Sequence, residues 1–114
     1  MKTVSVIIPV YNMENLLSNC LDSIVEQNKL EECSLRVICV NDGSTDSSLR
    51  ILQKYAENNE YITVINQTNQ GVSAARNAGL LSAKSDYVCF MDPDDFYPDE
   101  DVLKDLYNAA KAHN

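Results

Sequence analysis

The chain has 114 residues, 45% of them hydrophobic, which is enough for one modest domain with a real core. Its net charge of -8 comes mostly from the segment between Asp86 and Asp105, where eight acidic residues accompany the single Lys104. This balance argues against nucleic-acid and anionic-membrane partners, and because no apolar run suits a signal peptide or a membrane span, we expect a cytoplasmic location.

Short apolar runs, each ended by a polar loop, predict four buried β-strands. These runs are VSVIIPV (4–10), LRVICVN (35–41), YITVIN (61–66) and DYVCFMD (86–92). Between and after them, apolar residues recur at helical spacing. The helical patterns cover residues 16–25, 49–56 and, more weakly, 73–83, and a fourth begins at Pro98, which suits the first position of a helix.

The alternation of strands and helices predicts the fold class. A β-α-β-α-β-α-β-α order is typical of an α/β domain with a Rossmann-like, mostly parallel sheet and helices on its faces. No interdomain linker or internal repeat interrupts the order, so residues 1–114 are expected to form a single domain. Cys20, Cys39 and Cys89 fall within apolar patterns and are expected in the core, since no C-x-x-C spacing supports a zinc site.

The loops that follow the strands of a parallel sheet all lie at its carboxyl-terminal edge. Four loops should meet there, and they are the most polar and glycine-bearing parts of the chain. Their sequences are PVYNMEN, NDGSTDSS, NQTNQGVSAARN and DPDDFYP. We therefore expect the functional pocket at this edge.

Asp92 and Asp94 follow the fourth predicted strand in a D-x-D arrangement. A loop that leaves a strand can direct both carboxylates toward one point. Such hard oxygen donors suit Mg²⁺ or Mn²⁺, with a diphosphate completing the site. Asp99, Glu100 and Asp101 are instead expected to face the positive end of the fourth helix. The D-x-D pair is therefore the predicted metal site.

Two roles are expected for polar residues of the loop after the second strand. Thr45 or Asp46 should cap the second helix by accepting its first free N–H groups. Asp42, at the tip of the strand, is not needed for that purpose. Its carboxylate could accept an N–H of a pyrimidine base, or it could simply form a turn.

Two further side chains also keep two interpretations each. Ser73 is expected to cap the third helix, which places Arg76 in the first turn, where a positive charge is unfavourable to the helix dipole. Either a phosphate or one of the aspartates should therefore compensate the charge of Arg76. Tyr11 could stack on a base, or Tyr11 and Pro9 could only shape the strand exit.

Four motifs together resemble the amino-terminal half of a family 2 glycosyltransferase, which has the GT-A fold. They are VSVIIPVYNMENLLSNCLDSI, VICVNDGSTDSS, NQGVSAARNAGL and FMDPDD, and the resemblance extends from about Val4 to Tyr97. Each motif alone is modest, whereas all four in this order and spacing are specific. The resemblance implies a nucleotide-diphosphate sugar donor, most often UDP-linked, a divalent metal, a saccharide or lipid-linked acceptor, and transfer with inversion at the anomeric carbon.

The resemblance also assigns roles to individual residues. Asp42 matches the residue that meets the base, and Asp94 matches the direct metal ligand of the D-x-D pair. Asp92 matches the other member of that pair, nearer the ribose and sugar, and Asp95 matches a commonly acidic neighbour. The residues implied for nucleotide binding are Pro9, Val10, Tyr11, Glu14, Asp42, Arg76 and Asp92.

The implied mechanism combines stabilisation of the departing diphosphate by cationic groups with removal of the acceptor proton by a carboxylate. Family members continue past this point with the acceptor site and that catalytic base, so the base is expected beyond residue 114. We therefore expect this chain to be the donor-binding portion of a longer enzyme, with little transfer activity by itself. The resemblance leaves open whether the parent enzyme lies at the inner face of a membrane.

Three alternatives share parts of these patterns. A D-x-D phosphatase is disfavoured because its motif lies near the chain start and is followed by Thr or Val where Phe96 stands. A calcium-binding module is disfavoured because Phe96, Tyr97 and Leu103 occupy positions that its loop reserves for other residues. A phosphoacceptor signalling domain would need an aspartate at the end of the third strand, where Asn66 stands.

Overall fold

The structure, a computed structural model, describes residues 2–27 and 33–112. Strands and helices alternate along these residues as predicted. No helix in the described ranges has the length and apolar character needed to cross a membrane. The elements are β1 (Lys2–Val10), α1 (Leu17–Val25), β2 (Cys33–Asp42), α2 (Ser48–Asn58), β3 (Ile62–Gln67), α3 (Val72–Ala83), β4 (Tyr87–Phe90) and α4 (Val102–Ala112).

The strands form one parallel sheet in the order β3-β2-β1-β4. β1 pairs with β2 from Lys2 opposite Cys33 to Val10 opposite Asn41. On its other side β1 pairs with β4, and β2 pairs with β3, each in parallel register. The predicted α/β fold with a parallel sheet is confirmed, and all four strands end at the same edge.

The sheet separates two apolar clusters. Ile8 belongs to the cluster on one face, which α1, α2 and α4 cover, and Ile7 belongs to the cluster on the other face, which α3 covers. Gly79 lets α3 approach the sheet closely, because a Cβ at this position would lie 2.5 Å from Cγ2 of Ile7. On the face of the sheet that α3 covers, the helix therefore packs so closely that residue 79 has no room for a side chain.

The cysteines are free thiols, and two of the three predicted core positions are fully confirmed. Cys20 and Cys39 are completely buried in the first cluster, whereas Cys89 is only partly buried against it. Burial and the nearby acidic residues raise the pKa of the Cys20 thiol to about 12. Burial also raises the pKa of the Cys39 and Cys89 thiols, so Cys20, Cys39 and Cys89 are protonated and act as small apolar side chains.

The predicted cap of the third helix is wrong. α3 begins at Val72, directly after Gly71, so Ser73 lies inside the helix and is exposed to solvent. Gly71 has a φ of 97°, a conformation that residues with a side chain rarely adopt. The start of α3 is set by Gly71 and by Asp42 of β2, which accepts the Gly71 N–H. Because Asp42 is distant in sequence, local capping signals do not reveal this start.

The predicted start of the fourth helix is also wrong. α4 begins at Val102, four residues after Pro98, and residues 98–101 form a turn in which the Asp101 N–H donates to Oδ1 of Asp99 at 2.9 Å. The N–H of Leu103 donates to Oε1 of Gln27 at 2.9 Å. The free N–H groups of α4 are therefore satisfied in part by a side chain just beyond α1, which is distant in sequence.

Candidate functional site

A cavity of about 440 Å³ opens at the carboxyl ends of the strands. A cavity therefore lies at the predicted edge of the sheet, and every post-strand loop contributes to it. Six of the eight predicted site residues line it, whereas Glu14 and Arg76 do not. The lining residues are Pro9, Val10, Tyr11, Met13, Asp42, Asn69, Gly71, Val72, Ala75, Asp92, Pro93 and Asp94.

Asp42 lies at the tip of β2, and its carboxylate organises the start of α3. Oδ1 accepts the side-chain N–H of Gln67 at 3.0 Å and the backbone N–H of Gln70 at 2.8 Å. Oδ2 accepts the backbone N–H of Gly71 at 3.0 Å and, more distantly at 3.4 Å, the side-chain N–H of Asn69. One residue of the second strand thus caps a helix about thirty positions later.

These contacts keep Asp42 ionised although it is only 3% exposed. Loss of hydration opposes the charged form, but the hydrogen bonds from Gln67, Gln70 and Gly71 outweigh that effect and lower the pKa of Asp42 below its ordinary value of 3.8. The wall of the cavity therefore carries a buried negative charge that can only accept hydrogen bonds at neutral pH.

The loops after β1 and β2 are joined side by side, and Glu14 belongs to this junction. Oε2 of Glu14 accepts the backbone N–H of Ser47 at 2.9 Å, and the backbone N–H of Glu14 donates to Oδ2 of Asp46 at 3.2 Å. Oδ1 of Asp46 accepts the N–H of Ser48, the first residue of α2, at 2.8 Å. The expected capping role of Asp46 is confirmed, and Glu14 is placed at the start of α2 as well.

A turn brings three aspartates together after β4. The backbone N–H of Asp95 donates to the carbonyl oxygen of Asp92 at 3.0 Å, and Pro93 occupies the second position of this turn, which its fixed φ favours. One carboxylate oxygen from each of Asp92, Asp94 and Asp95 lies within 4.8 Å of the other two. We call these three residues the aspartate cluster. The D-x-D pair converges as predicted, with a third acid beside it.

Arg76 contacts the aspartate cluster from α3. Its Nη2 lies 3.2 Å from Oδ1 of Asp92, so of the two expected partners, a phosphate or an aspartate, the structure shows the aspartate. Arg76 is the fifth residue of α3 and lies just past the first turn, not within it as expected. Its Nε is buried without a hydrogen-bond partner. Arg76, Asp92 and Asp95 also line a second cavity of about 510 Å³, together with Phe90, Met91, Phe96 and Tyr97.

Helix α1 and Gln27, just beyond it, support the segment that follows the aspartate cluster. Oγ of Ser23 accepts the backbone N–H of Tyr97 at 3.0 Å, and Nε2 of Gln27 donates to the carbonyl oxygen of Asp99 at 2.6 Å. Neither Ser23 nor Gln27 has a local sequence signal for this role, because each partner is more than seventy residues away. Asn69 and Gly71 were also missed as cavity residues, and only the glycine-containing NQG stretch pointed to them.

Comparison with known proteins agrees with this fold. A family model described as glycosyl transferase family 2 matches residues 5–114. The poly(ribitol-phosphate) beta-glucosyltransferase of Bacillus spizizenii is 44% identical over 112 residues, which cover 96% of this chain and 17% of that protein.

Two solved structures are similar over most of the chain. S. aureus TarS 1-349 in complex with UDP-GlcNAc has a TM-score of 0.87 and 34% identity, covering 99% of this chain and 32% of that one. The mannosyltransferase PcManGT from Pyrobaculum calidifontis, in complex with GDP-Man and Mn²⁺, has a TM-score of 0.80 and 32% identity, covering 88% and 30%. The chain spans less than a third of the length of all three proteins. It belongs to glycosyltransferase family 2 and has the GT-A fold.

Proposed function

We propose that this chain is the donor-binding part of an enzyme that transfers a sugar from a nucleotide-diphosphate sugar, in this case UDP-linked, to an acceptor hydroxyl with inversion. The observation that carries the proposal is that the buried Asp42 and the D-x-D residues Asp92 and Asp94 line the same cavity. A nucleotide-diphosphate sugar carries a base, which a hydrogen-bond acceptor such as Asp42 can bind, and a diphosphate, which a metal held by Asp92 and Asp94 can bind. Both kinds of group therefore have to line the same cavity. The family match does not favour a cation-binding module or a D-x-D phosphatase.

Asp42 is proposed to accept an N–H of the base through Oδ2. A carboxylate oxygen can accept two hydrogen bonds, and Oδ1 already accepts two short ones. Oδ2 has one short bond from Gly71, and its second contact, from Asn69, is long at 3.4 Å. An incoming base N–H would therefore replace the Asn69 contact at Oδ2, while Pro9, Val10 and Tyr11 form the wall beside it.

The aspartate cluster fits a divalent metal by its chemistry. Three carboxylate oxygens within 4.8 Å of one another are hard donors of the kind that Mn²⁺ and Mg²⁺ prefer. We propose that Asp94 and Asp92 hold the ion, with Asp95 as an acidic neighbour. When bound, a divalent ion supplies positive charge that offsets the charge of the diphosphate leaving group.

The residues of the chain itself would bind and orient the donor. Asp42 and Tyr11 fix the base, and Arg76, which holds Oδ1 of Asp92, adds a second positive charge beside the cluster. We propose that the carboxylate that removes the acceptor proton comes from sequence outside this chain. On that basis the chain alone binds donor and transfers little or no sugar.

A nucleotide panel tests the proposal. Thermal unfolding is measured with Mn²⁺ and, in turn, UDP, GDP, CDP and ADP at equal concentration. Ligands that bind only the folded state raise the unfolding temperature. We expect the largest rise with UDP, none with ADP, and no rise with UDP when Mn²⁺ is replaced by a chelator. No rise with any nucleotide would contradict the proposal.

A further inference from the structure

The loops after β1 and β2 form one unit through hydrogen bonds that centre on Asn12. We call this unit the loop clamp. The backbone N–H of Asn12 donates to Oγ of Ser44 at 3.0 Å, and its Oδ1 accepts the backbone N–H of Thr45 at 2.8 Å. The backbone N–H of Met13 donates to Oγ of Ser48 at 2.9 Å, and the Glu14 contacts described above complete the clamp.

The backbone of Asn12 has a conformation that few residues tolerate. Its φ is 50°, in the left-handed region, where asparagine, aspartate and glycine are favoured over other residues. Asn12 therefore meets two requirements at once, a left-handed backbone and a side-chain acceptor for the N–H of Thr45. Glycine would meet only the first requirement, and aspartate would meet both.

Asn12 directly follows Tyr11, which lines the cavity and is 46% exposed. An exposed side chain on a free loop would sample several positions, and ordering it would weaken ligand binding. The left-handed turn at Asn12 and its bonds to Ser44 and Thr45 fix the backbone that carries Tyr11.

We propose that Asn12 is a positioning residue that holds Tyr11 in place at the cavity before ligand arrives. Its Oδ1 anchors the loop after β1 to the loop after β2, so the wall formed by Tyr11 is ordered in the free protein. The benefit to nucleotide binding rests on the proposed function, whereas the ordering of Tyr11 does not.

The ordering is tested in the free protein with a single-tryptophan reporter. The chain contains no tryptophan, so Tyr11→Trp places one fluorophore at the site. In this background, Asn12→Gly keeps the backbone accessible and removes the acceptor, Asn12→Asp keeps both, and Asn15→Gly is a matched control at an exposed position of the same loop. We expect lower anisotropy and stronger quenching by acrylamide for Asn12→Gly alone. Equal values for Asn12→Gly and Asn15→Gly would overturn the proposal.

The second readout is UDP affinity in the presence of Mn²⁺, with Tyr11 restored. Loss of a hydrogen bond of this kind corresponds to about fivefold in affinity, so we expect Asn12→Gly to bind about five- to tenfold more weakly. Asn12→Asp should stay within about threefold of the parent. Should Asn12→Gly fail to fold, Ser44→Ala removes the acceptor of the Asn12 N–H and is expected to act in the same direction, and wild-type affinity in that variant contradicts the proposal. A parent protein that does not bind UDP contradicts the proposed function, while the anisotropy still decides the role of Asn12.

Discussion

The guanidinium of Arg76 and the carboxylate of Asp92 form an ion pair, 3.2 Å between Nη2 and Oδ1, which ties α3 to the aspartate cluster. Both side chains are substantially exposed, at 41% and 53%, so the pair adds little to stability by itself. The ion pair matters because it holds the positive charge of Arg76 beside the carboxylates that are proposed to bind a metal.

Replacing Arg76 should therefore have opposite effects on the metal and on the nucleotide. In Arg76→Met, Oδ1 of Asp92 loses a competing cation, and we expect Mn²⁺ alone to bind about twofold more tightly, a small effect because the pair is exposed. UDP with Mn²⁺ should bind about tenfold more weakly, because a charge-assisted contact is lost. Calorimetry on Arg76→Met and on the exposed control Arg50→Met measures both. Parallel weakening of both ligands would contradict this assignment.

Asp94 is the proposed principal metal ligand, and its neutralisation should remove metal-dependent binding. In Asp94→Asn, UDP affinity with Mn²⁺ is expected to fall by at least about tenfold, because one anionic oxygen donor is lost. Since Asp94 is exposed, the unfolding temperature should not change. Asp99→Asn is the matched control, because its Oδ1 can still accept the Asp101 N–H. Equal affinity in Asp94→Asn and Asp99→Asn would rule out the assignment.

Asp42 should make folding stability depend on acid pH. Its pKa in the folded protein lies below the ordinary value of 3.8, so the ionised carboxylate stabilises the fold above about pH 4. That contribution is lost as the pH falls through the folded-state pKa. In Asp42→Asn an NH2 group, which can only donate hydrogen bonds, replaces one carboxylate oxygen that accepts a backbone N–H. This change should lower the free energy of unfolding by about 1–3 kcal/mol at pH 7.

The measurement for Asp42 is urea unfolding of wild type and Asp42→Asn between pH 7 and pH 3. The stability difference between the two proteins should shrink as the pH falls below about 4, because Asp42 of the unfolded wild-type chain takes up a proton there more readily than the folded protein does. The exposed substitution Asp105→Asn serves as the control for removing a carboxylate. A difference that stays constant across this pH range would show that the ionised form of Asp42 has no special role.

Gly79 should resist substitution even though it lies within a helix. Alanine normally stabilises an exposed helix position relative to glycine by about 1 kcal/mol. Here a Cβ would lie 2.5 Å from Cγ2 of Ile7, so α3 would be pushed from the sheet. We expect Gly79→Ala to destabilise the protein by about 1–3 kcal/mol in urea unfolding. Ser82→Ala, at an exposed position of α3, should be near neutral; a stabilising Gly79→Ala would refute this packing.

The strands and the edge that holds the cavity could be predicted from sequence because their signals are local. VSVIIPV is apolar at every position but one, and β1 does extend through it to Val10. Parallel topology then brings Asp42 and Asp92 to one edge whatever the details of the loops. Convergence of Asp92 and Asp94 could be predicted for the same reason, since both lie within one short turn.

The capping of α3 and α4 could not be predicted, because both caps come from distant segments. Asp42 accepts the N–H of Gly71 from another strand, and Gln27 accepts the N–H of Leu103 from beyond α1. Ser73 and Pro98 are good local signals that these tertiary hydrogen bonds override. The placement of Glu14 in the loop clamp also depends on contacts between separate loops, which no spacing in the sequence encodes.

The most direct test of the central claim is calorimetric titration of this chain with UDP, with and without Mn²⁺. If the cavity between Asp42 and the aspartate cluster is a donor site, binding saturates at one UDP per chain with Mn²⁺ and is lost when the metal is removed. Heats that do not saturate in a folded sample with Mn²⁺, or equal binding with and without the metal, would contradict the account.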